Sequence, residues 1–173
     1  MPHLKDRFGT LAVDLPGYGG SDPVPDEPRG RAALMGAAVA RLIEGCEQPV
    51  RVAGHSYGGV VALQAALQVA PGAIESVVLF EPVFFRALQL TDDPALGPAT
   101  EHFEDYVGRA RAGEDGAVRL MIDYWFGKDA YGRLPDPVRS YLDANARCNA
   151  LDVLSSFNDT ATVGRLANLS APV

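Results

Sequence analysis

Apolar residues enter this chain first as short unbroken runs and later as spaced, helix-like patterns. "TLAVD" at residues 10–14 is one such run, stopped by "LPGYGGSDPVPDEP", whose prolines and glycines continue neither a strand nor a helix. "PVRVAG" is the second, and "ESVVLFEPV", ended by Pro82, the third. Between them lie "RAALMGAAVARLIEGC", with Leu34, Ala38 and Leu42 at helical spacing and Gly45 closing it, and "GGVVALQAALQVA", stopped by Pro71 and Gly72. The order strand, helix, strand, helix, strand predicts an α/β fold. Near-continuous Val/Leu/Ala runs suit strands of a parallel sheet buried on both faces. Beyond Phe85 no further clear strand occurs. "TEHFEDYVGRARAG", "GAVRLMIDYWFG" and "DPVRSYLDANARCNALDVLSSF" read as helices, an insertion lying over the sheet rather than a separate domain.

Composition narrows this picture without redirecting it. With 173 residues, 47% hydrophobic and 21% charged, the chain reads as one globular domain. A net charge of −7 with no basic patch argues against nucleic acid as a partner. Cys46 and Cys148 have no C-x-x-C neighbour and read as reduced thiols of a cytoplasmic protein, a single disulfide being left open. "MPHLKDRFGT" lacks the apolar core of a signal peptide, and no run approaches the roughly 18 apolar residues of a membrane span. The glycosylation triplets at Asn158 and Asn168 therefore carry little meaning. No carboxylates recur at metal-ligand spacing, so no metal is implied.

Candidate chemistry sits in "RVAGHSYGGVVAL", residues 51–63. Gly54-His55-Ser56-Tyr57-Gly58 fits G-x-S-x-G, with a predicted strand before it and a predicted helix after it, the context this motif requires. A sharp strand-to-helix turn lifts the serine hydroxyl above the sheet edge. Small residues two positions to either side let the backbone pass close to itself. At a helix N-terminus the unpaired N–H groups favour developing negative charge, and the Tyr57 N–H is placed to donate to an oxyanion. Ser56 is the candidate nucleophile.

With these residues in view the chain resembles the α/β-hydrolases over nearly its whole length. "LAVDLPGYGGSD" looks like the loop after that fold's fourth strand, "VAGHSYGGVVAL" like its nucleophile elbow, "VVLFEPV" like its sixth strand and "LANLSAPV" like the approach to the seventh. The helical middle is similar to the family's cap. The resemblance implies a core over 1–87, a cap over 88–165 and a return to the core over 166–173. Serine at the elbow argues against dehalogenases and epoxide hydrolases, which carry aspartate there. Hydrolysis of an ester, lactone, amide or carbon–carbon bond of a small-molecule substrate remains, with a cofactor-free haloperoxidase-like activity ranked below it. No cofactor is expected: a dinucleotide fingerprint starting at Gly17 would need glycine where Asp22 stands, and there is no Walker A lysine.

A triad of this family needs its acid and histidine after the serine. His3 precedes the first run, His55 adjoins the nucleophile and diverges from it, and His102 belongs to a helix of the cap. Glu81, ending the strand after the elbow, is the candidate acid. The simplest expectation is a chain lacking both ends, with base and acid beyond Val173 and the second oxyanion donor before Met1. In the family a strand lies between the two runs at residues 10–14 and 50–54. Its absence would leave backbone groups unpaired at roughly 1–3 kcal/mol each if buried, unless the three strands pair in another order. Phe84, Phe85 and Trp125, with Tyr124 and Phe126, are candidate substrate contacts or cap core. Asp14 and Ser21 are expected to serve turn chemistry. Two other readings stay open: a non-catalytic hydrolase-like chain or binding module, and a self-sufficient enzyme using Glu81 and His102. The oligomeric state is open, although an exposed sheet edge invites association.

Overall fold

The computed structural model describes residue 4 and residues 6–23 and 30–173; His3 lies outside the described residues. Two parallel strands, β1 (Val50–His55) and β2 (Ile74–Phe80), form the sheet, with Val52 opposite Val77, Gly54 opposite Leu79 and His55 opposite Phe80. Helix α1 (Arg31–Glu44) precedes β1, and α2 (Tyr57–Ala66) makes the crossover to β2. Then follow α3 (Phe85–Leu90), α4 (Leu96–Ala112), α5 (Val118–Phe126), a 3₁₀ turn at Tyr131–Arg133, α6 (Asp136–Ala144), α7 (Ala146–Phe157) and α8 (Val163–Ala167). The fold is α/β, as the alternation of runs and periodic segments predicts.

Three expectations need correction. Residues 10–14 form no strand; they run as exposed chain, Leu11 being 72% exposed. A strand exists only by pairing, and no described strand lies beside this segment, so its backbone groups are left to water. Second, among the described residues the sheet is covered on one face only. Val52, Val77 and Leu79 pack with Ile43, Ala62 and Ala65 of α1 and α2, whereas Val78 and Phe80 on the other face are 45% and 56% exposed. Third, α1 turns in Met35, Gly36, Ala40 and Ile43, not the stripe of Leu34 and Leu42, which are exposed. Contact with α2 selects that face: a Cβ on Gly36 would lie 2.6 Å from the Gln64 Cβ, so the two helices meet at a distance only glycine allows.

The hydrogen bonds from Val50 N–H to Ala73 O and from Ser56 N–H to Phe80 O turn the even-numbered residues of β1 toward β2. Strand alternation therefore directs the backbone groups of Arg51, Ala53 and His55 to the opposite edge, which no strand among the described residues covers. The outer edge of β2 meets the C-terminal segment: the Val77 N–H donates to Pro172 O, and Ala171 is buried among the sheet residues.

A second apolar cluster joins α3, α4, α5 and α7 around Phe103, which is 1% exposed. Phe85 stacks on Phe157 with ring centres 3.9 Å apart, and Phe103 meets Phe85, Tyr124, Trp125 and Phe157 within 6.0 Å. Truncating Phe103 to alanine deletes the ring all four share. The expected result is a loss of roughly 3–5 kcal/mol, read as a lower denaturant midpoint. The single long helix suggested by "DPVRSYLDANARCNALDVLSSF" is broken at Asn145 (φ −102°, ψ 4°), whose side-chain amide donates to Tyr141 O. Both cysteines are free, Cys46 exposed and Cys148 half-buried. Among the described residues no helix is long and apolar enough to cross a membrane.

Candidate active site

Ser56 stands between the last residue of β1 and the first of α2, at φ 52° and ψ −125°. Positive φ on a non-glycine residue costs on the order of 1–3 kcal/mol and persists only where surrounding bonds enforce it. Here the Ser56 N–H donates to Phe80 O, while Ser56 O accepts from Gly59 N–H at 2.9 Å and Val83 N–H at 3.4 Å. Gly54 makes the turn possible: a Cβ there would lie 2.3 Å from Gly58 O and 2.7 Å from Gly59 Cα. The motif's second glycine behaves otherwise. A Cβ on Gly58 meets nothing within 4 Å, and it is Gly59 whose Cβ would fall 2.9 Å from the Pro82 Cβ. The close approach expected at two positions either side of the serine holds upstream and moves one residue along downstream.

The Ser56 hydroxyl makes no hydrogen bond among the described residues, and the Tyr57 N–H likewise meets no acceptor. As the first N–H of α2, the latter points outward from the helix end, free to donate. Glu81 follows β2 in its own left-handed turn, φ 44°. Its carboxylate is 93% exposed and lies 4.0 Å from the His55 Nε2, the outer limit of an ion pair. His55 and Glu81 thus face each other beside the elbow, and neither bonds the Ser56 hydroxyl.

The aromatic candidates separate. Phe84 is half-buried at the start of α3. Phe85 is 7% exposed and packs on Phe157 and Phe103 as part of the core cluster. Trp125 sits at the surface, 46% exposed, edge-on to Tyr124. His102 is held in the same cluster, stacked on Tyr124 with ring centres 4.4 Å apart and its Nε2 3.2 Å from Leu120 O. In the Gly-rich loop Asp14 accepts from Gly20 N–H and its carbonyl from the Ser21 hydroxyl, the turn chemistry those residue types suggest.

One cluster escaped the sequence reading. Arg31 Nε donates to Asp152 Oδ1 at 2.5 Å, the Tyr18 hydroxyl donates to Asp152 Oδ2 at 2.5 Å, and Arg31 Nη2 reaches the Cys148 sulfur at 3.0 Å. Both charged side chains are almost wholly buried. Burial pushes the Asp152 carboxyl up, against the hydrogen bonds from Arg31 and Tyr18, and pushes the Tyr18 phenol up strongly, with Asp152 adding to it. Nearby, Ala32 N–H donates to the Ser155 hydroxyl and the Gln64 amide to Asp159 at 2.7 Å. The available signal was a polar row, Asp152, Ser155, Ser156 and Asp159, on the inward side of an otherwise apolar helix pattern.

A family model described as "Alpha/beta hydrolase family" matches residues 1–173. The chain belongs to the alpha/beta hydrolase family. Among curated proteins this hydrolase-family chain is similar to a pimeloyl-[acyl-carrier protein] methyl ester esterase of Methylococcus capsulatus, 35% identical over 46% of this chain and 28% of that one. It is also similar to the dihydrolipoyllysine-residue acetyltransferase component of the acetoin cleaving system of Cupriavidus necator, 42% identical over 47% and 21% of the two chains. A serine hydrolase-like protein of Danio rerio is 34% identical over 53% and 28%. These matches span less than a third of each relative's length. No solved structure matches significantly.

Proposed function

We propose that Ser56 is the nucleophile of a serine-dependent hydrolase acting on a small-molecule carbonyl compound. An ester is the first choice, because one relative is named a methyl ester esterase; lactone, amide and carbon–carbon bonds follow. The observation that carries this reading is the backbone of Ser56. A left-handed serine between a strand and a helix, held by bonds to Phe80, Gly59 and Val83, raises its hydroxyl at a helix N-terminus. Chemically, the Ser56 oxygen attacks the carbonyl carbon while its proton passes to a base. The oxyanion takes a hydrogen bond from the Tyr57 N–H, the leaving group departs with a proton, and water releases the acyl group. In this proposal the base and the second oxyanion donor come from parts of the whole protein other than the described residues, and the orienting acid is either there or Glu81. Glu81 ranks as a candidate acid through its place beside the elbow.

Treating the protein as its own cell makes it with a fluorophosphonate probe tests the reading. Covalent mass on the peptide carrying Ser56 is the expected result; a folded, active preparation labelled elsewhere, or not at all, overturns it. The unpartnered Ser56 hydroxyl favours a second reading, a non-catalytic hydrolase-like chain that keeps the elbow. That reading expects the unlabelled outcome.

A further inference from the structure

The face that α2 turns toward α7 is polar at two points on one side of an otherwise apolar helix. Tyr57 and Gln64 stand seven residues apart, two turns along the same side. Their Tyr57 Oη and Gln64 Oε1 are buried, and among the described residues neither finds a hydrogen-bond partner. Opposite them α7 and the residue two beyond it present Asp152, Ser155 and Asp159. Burial raises the Tyr57 phenol, and the charge of Asp152 adds to it. The elbow helix thus meets this side through the Gln64–Asp159 bond, next to the Arg31–Asp152–Tyr18 cluster, which ties α7 to α1 and to the Gly-rich loop.

A polar seam of this kind is unlike an apolar contact. A buried guanidinium is tolerable only while its carboxylate stays in place. The register of α7 on α1 is therefore set by Arg31 and Asp152. Tyr57, whose hydroxyl is buried on the side of α2 that carries Gln64, is the residue directly after Ser56.

We propose that Asp152, held by Arg31 and Tyr18, is a positioning residue for the elbow: it fixes α7 against the Tyr57 side chain and so holds the first turn of α2. This inference rests on the reading of Ser56 as nucleophile for its catalytic meaning, though not for its test. Asp152 touches no reacting atom; it acts through Tyr57.

The two cysteines supply a built-in probe. Cys148 lies one turn before Asp152, half-buried with its sulfur against Arg31, whereas Cys46 is exposed at the end of α1. In the whole protein, thiol trapping with a disulfide reagent gives a fast Cys46 and a slow Cys148. Asp152→Asn keeps the side-chain shape and removes the charge. It is expected to speed Cys148 trapping roughly tenfold and to raise amide exchange over residues 59–63 by a similar factor, with exchange at Val77 unchanged. Tyr18→Phe, which leaves the ion pair intact, is expected to move both readouts the same way by less, and it covers the case in which Asp152→Asn fails to fold. Faster Cys148 trapping with unchanged exchange over residues 59–63 overturns the positioning role, because a merely structural fastening would do that. Unchanged Cys148 trapping overturns it as well. Fluorophosphonate labelling of Ser56 is followed in parallel. No labelling in the unsubstituted protein defeats the nucleophile reading, while the exchange result still decides the seam.

Discussion

Ser56→Ala is expected to abolish fluorophosphonate labelling of the whole protein and to lower turnover of a simple activated ester on the order of 10⁴-fold or more. The size follows from what is removed. Truncation removes the attacking oxygen and leaves only binding and the oxyanion donor to act on the substrate. The change deletes one oxygen and keeps a Cβ, so the backbone bonds to Phe80, Gly59 and Val83 stay available and stability is expected to change little. Circular dichroism and the denaturant midpoint check that, and ester turnover by the purified variant checks the chemistry. Undiminished turnover would remove Ser56 from the mechanism.

Gly54→Ala is expected to be the most damaging single-atom addition at the elbow. Its new Cβ would sit 2.3 Å from Gly58 O and 2.6 Å from the Gly58 carbonyl carbon, both backbone atoms that cannot swing aside. Relief requires β1 and α2 to move apart, which strains the turn at Ser56. A loss of about 3 kcal/mol is expected, visible as a lower urea midpoint, together with loss of Ser56 labelling. Gly58→Ala supplies the contrast. The Cβ meets nothing within 4 Å, and alanine is the better helix residue by roughly 1 kcal/mol, so the midpoint is expected to hold or rise. Two glycines of one motif then differ in sign. If both variants lose stability equally, the close approach of Gly54 to Gly58 is not what the turn depends on.

The elbow was legible because its chemistry is local: strand, turn and helix are neighbours in sequence, and Gly-x-Ser-x-Gly encodes the turn within five residues. The parallel pair was legible for a similar reason, since Pro71 and Pro82 punctuate the runs. What failed depended on partners. "TLAVD" has the composition of a strand, yet a strand needs a neighbour, and residues 10–14 have none among the described residues. The inward face of α1 was chosen by Gly36 against Gln64, a contact across 28 positions that periodicity does not reveal. Phe85 and Trp125 are both aromatic residues of the helical region, and only packing separates the buried ring on Phe157 from the surface one. The Arg31–Asp152 pair joins positions 121 residues apart. A buried ion pair leaves no trace in a composition that also supplies exposed pairs such as Arg119 with Asp123.

The edge of β1 away from β2 also governs how this chain behaves as a colloid. Strand groups at Arg51, Ala53 and His55 that meet no strand among the described residues, next to exposed Val78 and Phe80, are expected to make copies of this chain attractive to one another at short range. A net charge of −7 makes the same copies repel at long range. Added salt shortens the second force to a Debye length of about 10 Å at 0.1 M and leaves the first untouched. The interaction between molecules, followed by light scattering as a second virial coefficient, therefore turns from repulsive to attractive as ionic strength rises, and dilute buffer of low salt is where this surface stays dispersed.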